Sequence, residues 1–384
     1  MNQSDEILSR YLLTVQQDLF PMIEEEFDEL SDRQLRLIAI LEILRIEEFC
    51  NHNRGVFAVG RPRKDRTAMA RSFVAKAIYQ IPTTELLIEH LKADRLLRRI
   101  CGFAGRKSVP SASLFSRAFK EFAQYKLPEK VHEALLKRHF SNHVFGHVAR
   151  DSSALAAREK IERYEEAAAK VVPTTPKKRG RPRKTERTEA ELAAAKEARK
   201  SVLEQQLTMS ATELLAAIPT ACDKGTKVDS RGYKVSWKGY KIHLDVADGQ
   251  IPIFGFVSSA SVHDSQAAIP LAKVSSQRVT YLYELMDSAY DAGLIRYHSY
   301  LSDHVALIDH NKRRGEKREF APHEAQRYKG RTMVERVFGR LKDEFGMLNI
   351  QVKKHLKVQC HVMFSIISLA ADQVLRFLRP EPVT

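Results

Sequence analysis

Cysteine is scarce in this sequence, with four residues in a chain of 384. Cys50, Cys101, Cys222 and Cys360 lie far apart, and none belongs to a C-x-x-C pair. Disulfide frameworks and zinc ribbons need closely spaced cysteines, so the spacing excludes both classes. We expect four free thiols, as in a protein of a reducing cytoplasm.

Segments that direct a protein to a membrane are also lacking. The chain begins with Asp5, Glu6 and Arg10 rather than with the basic region and apolar core of a signal peptide. The most apolar late stretch, VMFSIISLAADQVLRFL, contains Asp372 and Arg376 and is too short to span a bilayer. We therefore predict a buried packing helix there and no membrane association.

Acidic residues are fewer than basic residues in this sequence. The chain has 63 Lys and Arg residues against 48 Asp and Glu residues, which gives a net charge of +15. Such an excess attracts polyanions, and nucleic acid is the commonest polyanion inside a cell. A basic protein of the membrane surface would need a basic amphipathic helix or a lipidation motif, and the sequence has neither. The composition therefore favours a nucleic-acid-binding protein.

The most informative stretch present is YKGRTMVERVFGRLK, which we predict to be one helix. At about 100° per residue, Tyr328, Arg331, Glu335 and Lys342 fall within an arc of roughly 60°. Beside them runs an apolar stripe that can dock on a core, formed by Val334, Val337, Phe338, Leu341 and Phe345. One carboxylate among cations suits a metal site that faces a polyanion. A solvated amphipathic helix with Glu/Arg pairs is the alternative.

Two aspartates stand at the ends of predicted strands. Asp151 ends a β-like run that starts at Val144, and Asp287 ends the run RVTYLYELMD. Carboxylates at strand ends lie at the sheet edge where open α/β folds bind ligands. With Glu335 they would supply the oxygen ligands that Mg²⁺ prefers. Two such ions about 3.5–4 Å apart stabilise the attacking and leaving oxygens of a phosphoryl displacement.

Other acidic residues compete for the same role. Asp264, Asp291 and Asp309 also lie near the ends of predicted elements. Single aspartates at such positions are more often turn formers or helix caps than metal ligands. We expect Asp264 to cap the helix that begins at DSQAA.

The chain resembles a known family in several places. Asp151, Asp287 and Glu335 resemble the D, D and E of bacterial insertion-sequence DDE transposases. The pattern Y-(2)-R-(3)-E-(6)-K resembles the signature of the IS-four-like group and is met by Tyr328, Arg331, Glu335 and Lys342. Further likeness lies in WKGYKIHL, VSSASVHDSQAAIPL, DSAYDA and GRPRKDRTAMARSFVAKAIYQIP. The resemblance thus runs from about Gly60 to Leu375.

This resemblance implies a DNA transposase that cuts transposon ends and transfers the 3′-hydroxyl strand into target DNA. It implies two Mg²⁺ ions, replaceable by Mn²⁺, held by Asp151, Asp287 and Glu335. The partners would be double-stranded DNA, as transposon ends and as target, and a second copy of the chain on that DNA. Tyr328, Arg331 and Lys342 would hold the transposon end. The location would be the bacterial cytoplasm, in association with the nucleoid.

Three alternatives remain open from the residues. A transposase remnant would bind DNA without activity, and a metal-dependent nuclease would cut without strand transfer. A nucleophilic Tyr328, as in covalent recombinases, would not call for three carboxylates. Terminal inverted repeats beside the coding region, or strand joining in vitro, would distinguish a transposase from a nuclease.

The order of predicted elements gives the fold class. After Asp151 come two strands, a helix, a strand, a helix, a strand and the helix that bears Glu335. This order favours an α/β fold with a ribonuclease-H-like catalytic core, in which helices flank a mixed sheet. We also expect a helical amino-terminal domain and a helical insertion after the first strand.

The predicted domain boundaries follow from these elements. A helical segment covers 1–58, and a helical domain covers 59–138. The second of these either binds DNA through a helix-turn-helix-like module or is an ordinary helical packing domain. The catalytic domain covers 139–378 and includes a basic helical insertion at 155–230; the tail is 379–384.

The insertion contains a strongly basic linker. Arg179 and Arg181 form an RGRP core that resembles an AT-hook, preceded by Lys177 and Lys178. An extended Arg-Gly-Arg segment is narrow enough for the minor groove of A/T-rich DNA. A solvated charge run that contacts only phosphates is the alternative. Either interpretation makes these four cations DNA-binding candidates.

Overall fold

The computed structural model describes residues 30–50, 65–161, 200–228, 232–311 and 319–378. The predictions for residues 1–29, for the RGRP linker and for the tail at 379–384 lie outside these ranges. Within them the protein is an α/β structure with a helical amino-terminal region, as predicted.

The first described helix, α1, covers Asp32–Leu44 and begins with a capping box. The Ser31 side chain accepts the backbone N–H of Gln34, and the Gln34 side chain accepts that of Ser31. Five further helices follow before the sheet: α2 Arg66–Ile78, α3 Thr84–Ala93, α4 Arg95–Ile100, α5 Ala112–Tyr125 and α6 Leu127–Phe140.

The described strands form one mixed sheet of six strands. They are β1 Val144–Ala156, β2 Asp223–Val228, β3 Lys234–Ala247, β4 Ile251–Ser259, β5 Thr280–Met286 and β6 Val305–Ile308. Strand β1 pairs antiparallel with β3 and parallel with β5, and β5 pairs parallel with β6. The spatial order β4-β3-β1-β5-β6 is consistent with the predicted ribonuclease-H-like core.

The remaining helices lie between and after the strands. They are α7 Val202–Thr208, α8 Ala211–Ala217, α9 Ser265–Arg278, α10 Gly293–Leu301, α11 Pro322–Tyr328, α12 Thr332–Asp343 and α13 His355–Leu378. Helix α9 packs on β3 and β4, and α12 packs on β1 and β3. From β3 onward, the arrangement confirms the predicted sequence of strands and helices.

Two details of the strands differ from the sequence prediction. Strand β1 continues to Ala156 because β3 pairs with it along residues 148–156, so Asp151 lies inside the strand and not at its end. Strand β2 lies in the segment where we predicted only helices. Its sequence, DKGTKV, is short and polar and lacks the alternating apolar residues by which a strand is recognised.

Helix α13 joins the helical region to the sheet. It packs against α1, α2, α5, α6 and β4, and its Phe364 ring lies 5.5 Å from that of Phe73 in α2. Among the described helices, α13 alone is long and apolar enough to cross a membrane, but 83% of its apolar window is buried. Its Asp372 accepts hydrogen bonds from Arg36 at 2.7 Å and from Arg340 at 2.5 Å. It is therefore the packing helix that the sequence predicts.

Candidate active site

Adjacent parallel strands position the two aspartates. Ala149 of β1 pairs with Leu285 of β5. Asp151 and Asp287 each lie two residues after this pair. The Asp151 carboxylate accepts the backbone N–H of Ser152 at 2.7 Å. Asp287 starts a short 3-10 turn and accepts the backbone N–H of Ala289 at 2.9 Å. The fold thus brings these two predicted site residues together.

The electrostatics of the pair favour a nearby cation. Burial, together with the charges of Asp287 and Asp264, raises the pKa of Asp151 to about 7 against the opposing effects of Ser152 and Arg331. Burial and the charge of Asp264 likewise raise the pKa of Asp287. Several carboxylates in one half-buried site destabilise each other's charged form unless positive charge is close.

Arg331 lies between Asp151 and Glu335. Its Nη1 atom is 4.0 Å from Asp151 Oδ2, and its Nη2 atom donates to Glu335 Oε1 at 2.5 Å. The Glu335 side chain is 51% exposed on α12 and pairs with Arg331 rather than with the aspartates. In the described ranges no group of three or more His, Cys, Asp or Glu side chains is arranged to hold a metal ion. Glu335 as the third ligand therefore stays a prediction, which requires its carboxylate to leave Arg331.

The stretch predicted as one helix is divided in the structure. Helix α11 ends at Tyr328, the 3-10 turn Lys329–Arg331 follows, and α12 begins at Thr332. The apolar stripe is buried as predicted, at Val334, Val337, Phe338, Leu341 and Phe345. Docking of this stripe explains why α12 presents Glu335 and Lys342 on its outer side.

Tyr328, the last residue of α11, lies against the end of β5. Its hydroxyl donates to the Met286 carbonyl at 3.1 Å, and its ring packs on Phe320 at 4.7 Å between centroids. Burial raises the pKa of Tyr328 to about 12. A phenol that stays protonated and donates to a backbone carbonyl is a poor nucleophile, which argues against the covalent-recombinase alternative.

Lys342 extends the site along α12. Its Nζ atom is 5.8 Å from the centroid of the Phe338 ring, one turn away. Burial and the charge of Lys227 lower the pKa of Lys342, while the charges of Asp343 and Asp151 oppose that shift. Lys342 therefore lies within electrostatic range of both Asp151 and Lys227 of β2.

Asp264 belongs to the same site, which the sequence prediction missed. It precedes α9, but its side chain makes no capping hydrogen bond, so the predicted capping role is wrong. Its Oδ1 atom accepts from Ser152 Oγ at 2.8 Å and from Lys241 Nζ at 3.0 Å. An aspartate before a helix has the sequence pattern of a cap, and no local signal indicates the distant Lys241.

Tyr290 is buried near the carboxylates of the site. Its hydroxyl is buried and has no hydrogen-bond partner among the described residues. Burial raises the pKa of Tyr290, and the charges of Asp264, Asp151 and Asp287 add to that rise. A buried hydroxyl near three carboxylates is available to donate a hydrogen bond to a group that enters the site.

A buried ion network lies under the site. Arg150, next to Asp151 but on the opposite face of β1, donates to both oxygens of Asp245 at 2.8 and 2.9 Å and to Glu284 at 3.4 Å. Ser275 donates to Asp245 at 2.7 Å, and Glu284 accepts from Tyr281 at 2.9 Å. The network joins β1, β3 and β5, the strands that carry or flank the two aspartates.

Comparisons with known proteins agree with this arrangement. Residues 218–370 match the family model described as a transposase DDE domain, and residues 24–121 match one described as a transposase domain. Asp287 and Glu335 lie in the first match, and Asp151 lies between the two. A search of the curated proteins finds no match. The two models together cover most of the chain, which belongs to the insertion-sequence DDE transposases.

Proposed function

We propose that the protein cuts the ends of its own element and joins the freed 3′-hydroxyl to target DNA. The observation that carries this proposal is the pairing of Asp151 and Asp287 on adjacent strands below a helix with outward cations. The DDE family implies dependence on a divalent metal. We infer Mg²⁺ as that metal, two ions as its number and Mn²⁺ as a substitute.

The residues of the site fit such a cation. The charges of Asp287 and Asp264 raise the pKa of Asp151, and the charge of Asp264 raises that of Asp287. The Tyr290 hydroxyl is buried near them without a partner among the described residues. Asp151 and Asp287 would hold the ions, and Glu335 would join them after release from Arg331. When bound, the metal lowers the pKa of water and stabilises the charge of a phosphodiester displacement.

The side chains around the carboxylates would hold the DNA. Arg331 would exchange Glu335 for a phosphate, which a guanidinium binds through two hydrogen bonds. Lys342 would act as a point charge further along the same strand of DNA. Tyr328 would support the end of β5, where its hydroxyl holds the Met286 carbonyl. These roles leave the tyrosine without a covalent part in the reaction.

The other parts of the proposal concern assembly and location. We propose a dimer on DNA, because two element ends must be held together, and a bacterial cytoplasmic location in association with the nucleoid. The Y-R-E-K signature of Tyr328, Arg331, Glu335 and Lys342 supports membership of the IS-four-like group. The helical domain at 59–138 and the RGRP linker would add DNA contacts outside the site.

The decisive assay incubates the purified protein with its own element ends, a supercoiled target and Mg²⁺. Cleaved ends together with joined products are the expected result, and chelation of the metal should remove both. Cleavage without joining would indicate a nuclease. Binding without cleavage would indicate an inactive DNA-binding remnant.

Tyr328→Phe tests the noncovalent role of the phenol. We expect end cleavage to fall by about tenfold at most, because a single hydrogen bond contributes roughly 0.5–1.5 kcal/mol. The measurement is the rate of single-turnover end cleavage in Mg²⁺. A complete loss of cleavage with intact DNA binding would instead indicate a tyrosine nucleophile.

Neutralisation of the RGRP linker tests its contact with DNA. Replacing Lys177, Lys178, Arg179 and Arg181 by Gln should weaken binding of an A/T-rich duplex. The slope of log affinity against log salt should flatten by about 0.9 for each phosphate that the linker no longer neutralises. Titrations at several salt concentrations measure both quantities, with the thermal midpoint as a folding control. An unchanged slope would make the linker a tether only.

A further inference from the structure

The sheet extends beyond the candidate active site at one end of β3. Strand β2 pairs with residues 234–239 of β3, whereas β1 and β4 pair with β3 only from Gly239 or Tyr240 onward. Residues 223–228 and 234–239 therefore form a two-stranded extension of the sheet, which we call the β2–β3 ribbon. No third strand among the described residues covers its outer part.

The ribbon has a defined shape. The Trp237 ring lies directly over Gly225, where a Cβ atom would overlap it, and its Nε1 donates to the Tyr240 carbonyl at 2.9 Å. Thr226 and Ser236 share a hydrogen bond of 3.1 Å across the strands. An isolated two-stranded hairpin is only marginally stable in water. These contacts hold the ribbon in one conformation without burial in the core.

The exposed charge of the ribbon is almost entirely positive. Lys224, Lys227, Lys234 and Lys238 are all exposed, and none forms a salt bridge with a carboxylate among the described residues. Lys224 and Lys238 lie directly opposite each other across the two strands. Like charges in that relation destabilise a sheet, so the pair costs stability that a bound polyanion would restore. Asp223 accepts two hydrogen bonds from Ser261 and neutralises none of the four.

Strand β3 connects the ribbon directly with the site. Lys241, three residues after Lys238, lies with its Nζ atom 6.0 Å from the centroid of the Trp237 ring and 3.0 Å from the Asp264 carboxylate. On the other side, the charge of Lys227 reaches Lys342 of α12. The ribbon thus lies next to Lys241, which contacts Asp264, and one of its lysines is within electrostatic range of Lys342.

We propose that the β2–β3 ribbon binds the DNA duplex that flanks the phosphodiester cut at the Asp151–Asp287 site. A two-stranded ribbon fits the major groove of B-form DNA, and lysines on both faces can reach the phosphates on either side. The location beside the cut rests on the proposed function; the binding of duplex DNA does not. The competing explanation is a solvated lysine-rich hairpin that only adds solubility.

The test replaces Lys224, Lys227, Lys234 and Lys238 by Gln in the full chain. Binding of a labelled element-end duplex is titrated at several salt concentrations in chelator, so that no cleavage is required. We expect at least about a tenfold loss of affinity at low salt and a salt slope flatter by about 0.9 for each phosphate that the ribbon no longer neutralises. A fourfold Lys→Arg variant keeps the charge and should bind like the parent protein.

A matched control neutralises four exposed lysines outside the ribbon, the helical domain and the RGRP linker, namely Lys160, Lys200, Lys353 and Lys354. Equal decreases of affinity in both variants would mean that only net charge matters. An unchanged slope of log affinity against log salt in the ribbon variant would mean that the ribbon does not touch DNA. Either result overturns the proposal. Hydroxyl-radical footprints of the parent and the ribbon variant then locate the bound DNA. Loss of protection beside the cleavage position supports the proposal, and loss of protection only elsewhere contradicts it.

The two proposals can fail separately. One outcome is that the parent protein cuts no ends while the ribbon variant, unlike the matched control, binds DNA more weakly and with a flatter salt dependence. In that case the ribbon binds DNA and the proposed function is wrong. If the parent cuts and joins while the ribbon variant binds unchanged, the ribbon proposal is wrong.

Discussion

We expect Asp151→Asn and Asp287→Asn each to lower the rate of end cleavage by at least about a thousand-fold. The physical reason is that an amide removes the negative charge that would hold a divalent cation, whose charge stabilisation is worth several kcal/mol. About 4 kcal/mol corresponds to a thousand-fold change in rate. Glu335→Gln should show a loss of the same order. The measurement is single-turnover cleavage of a labelled element end in saturating Mg²⁺.

The control for this experiment is a carboxylate on the same helix as Glu335. Asp343 is exposed at the end of α12, so Asp343→Asn should cleave at close to the parent rate. Duplex binding in chelator should persist in all four variants, since phosphate contacts and not carboxylates supply the affinity. Normal cleavage by Asp151→Asn, Asp287→Asn or Glu335→Gln would remove that residue from the site.

We expect Arg150→Met to lower the free energy of unfolding by about 3–5 kcal/mol, because removal of one partner leaves uncompensated buried charge. The Arg150 side chain is only 1% exposed and pairs with Asp245 and Glu284, both of which are buried as well. Denaturant titration of the full chain, followed by circular dichroism, measures the decrease.

A more exposed arginine provides the comparison. Arg376 is 61% exposed and pairs with Asp372 at 3.2 Å, so Arg376→Met should cost less than about 1 kcal/mol. Equal effects of Arg150→Met and Arg376→Met would show that the buried network contributes no more than a surface ion pair. If Arg150→Met does not fold, expression of the soluble chain replaces the titration as the readout.

The proximity of Asp151 and Asp287 was predictable from the sequence. Both follow apolar runs of strand character and lie just beyond Ala149 and Leu285, the last parallel pair of β1 and β5, although β1 itself continues to Ala156. Strand β5 indeed ends one residue before Asp287. Local patterns also predicted α1, whose capping box involves only residues three apart in the chain.

The contacts that surround the pair were not predictable in the same way. Arg150 stands in a strand where its charge suggests exposure, yet partners 95 and 134 residues away neutralise it in the core. The carboxylate of Asp264 contacts Lys241, 23 residues away, instead of the start of its own helix. Periodicity describes one segment at a time and contains no information about such distant partners.

The segment that bears Glu335 shows a third kind of limit. Helical geometry predicted Arg331 and Glu335 on one side of the chain, and they do lie side by side, although Arg331 stands in the 3-10 turn before α12. Their spacing also makes them an ion pair, as residues four apart on helical turns commonly are. The sequence therefore predicted the neighbourhood of Glu335 but not which charge its carboxylate contacts.

The most direct test of the metal site is anomalous scattering from Mn²⁺ in crystals of the protein bound to its element-end duplex. We expect manganese between the carboxylates of Asp151 and Asp287, with Glu335 turned from Arg331 to the metal and Arg331 on a phosphate. Manganese bound elsewhere, with the two aspartates free of metal and Glu335 still paired with Arg331, would contradict the proposed mechanism.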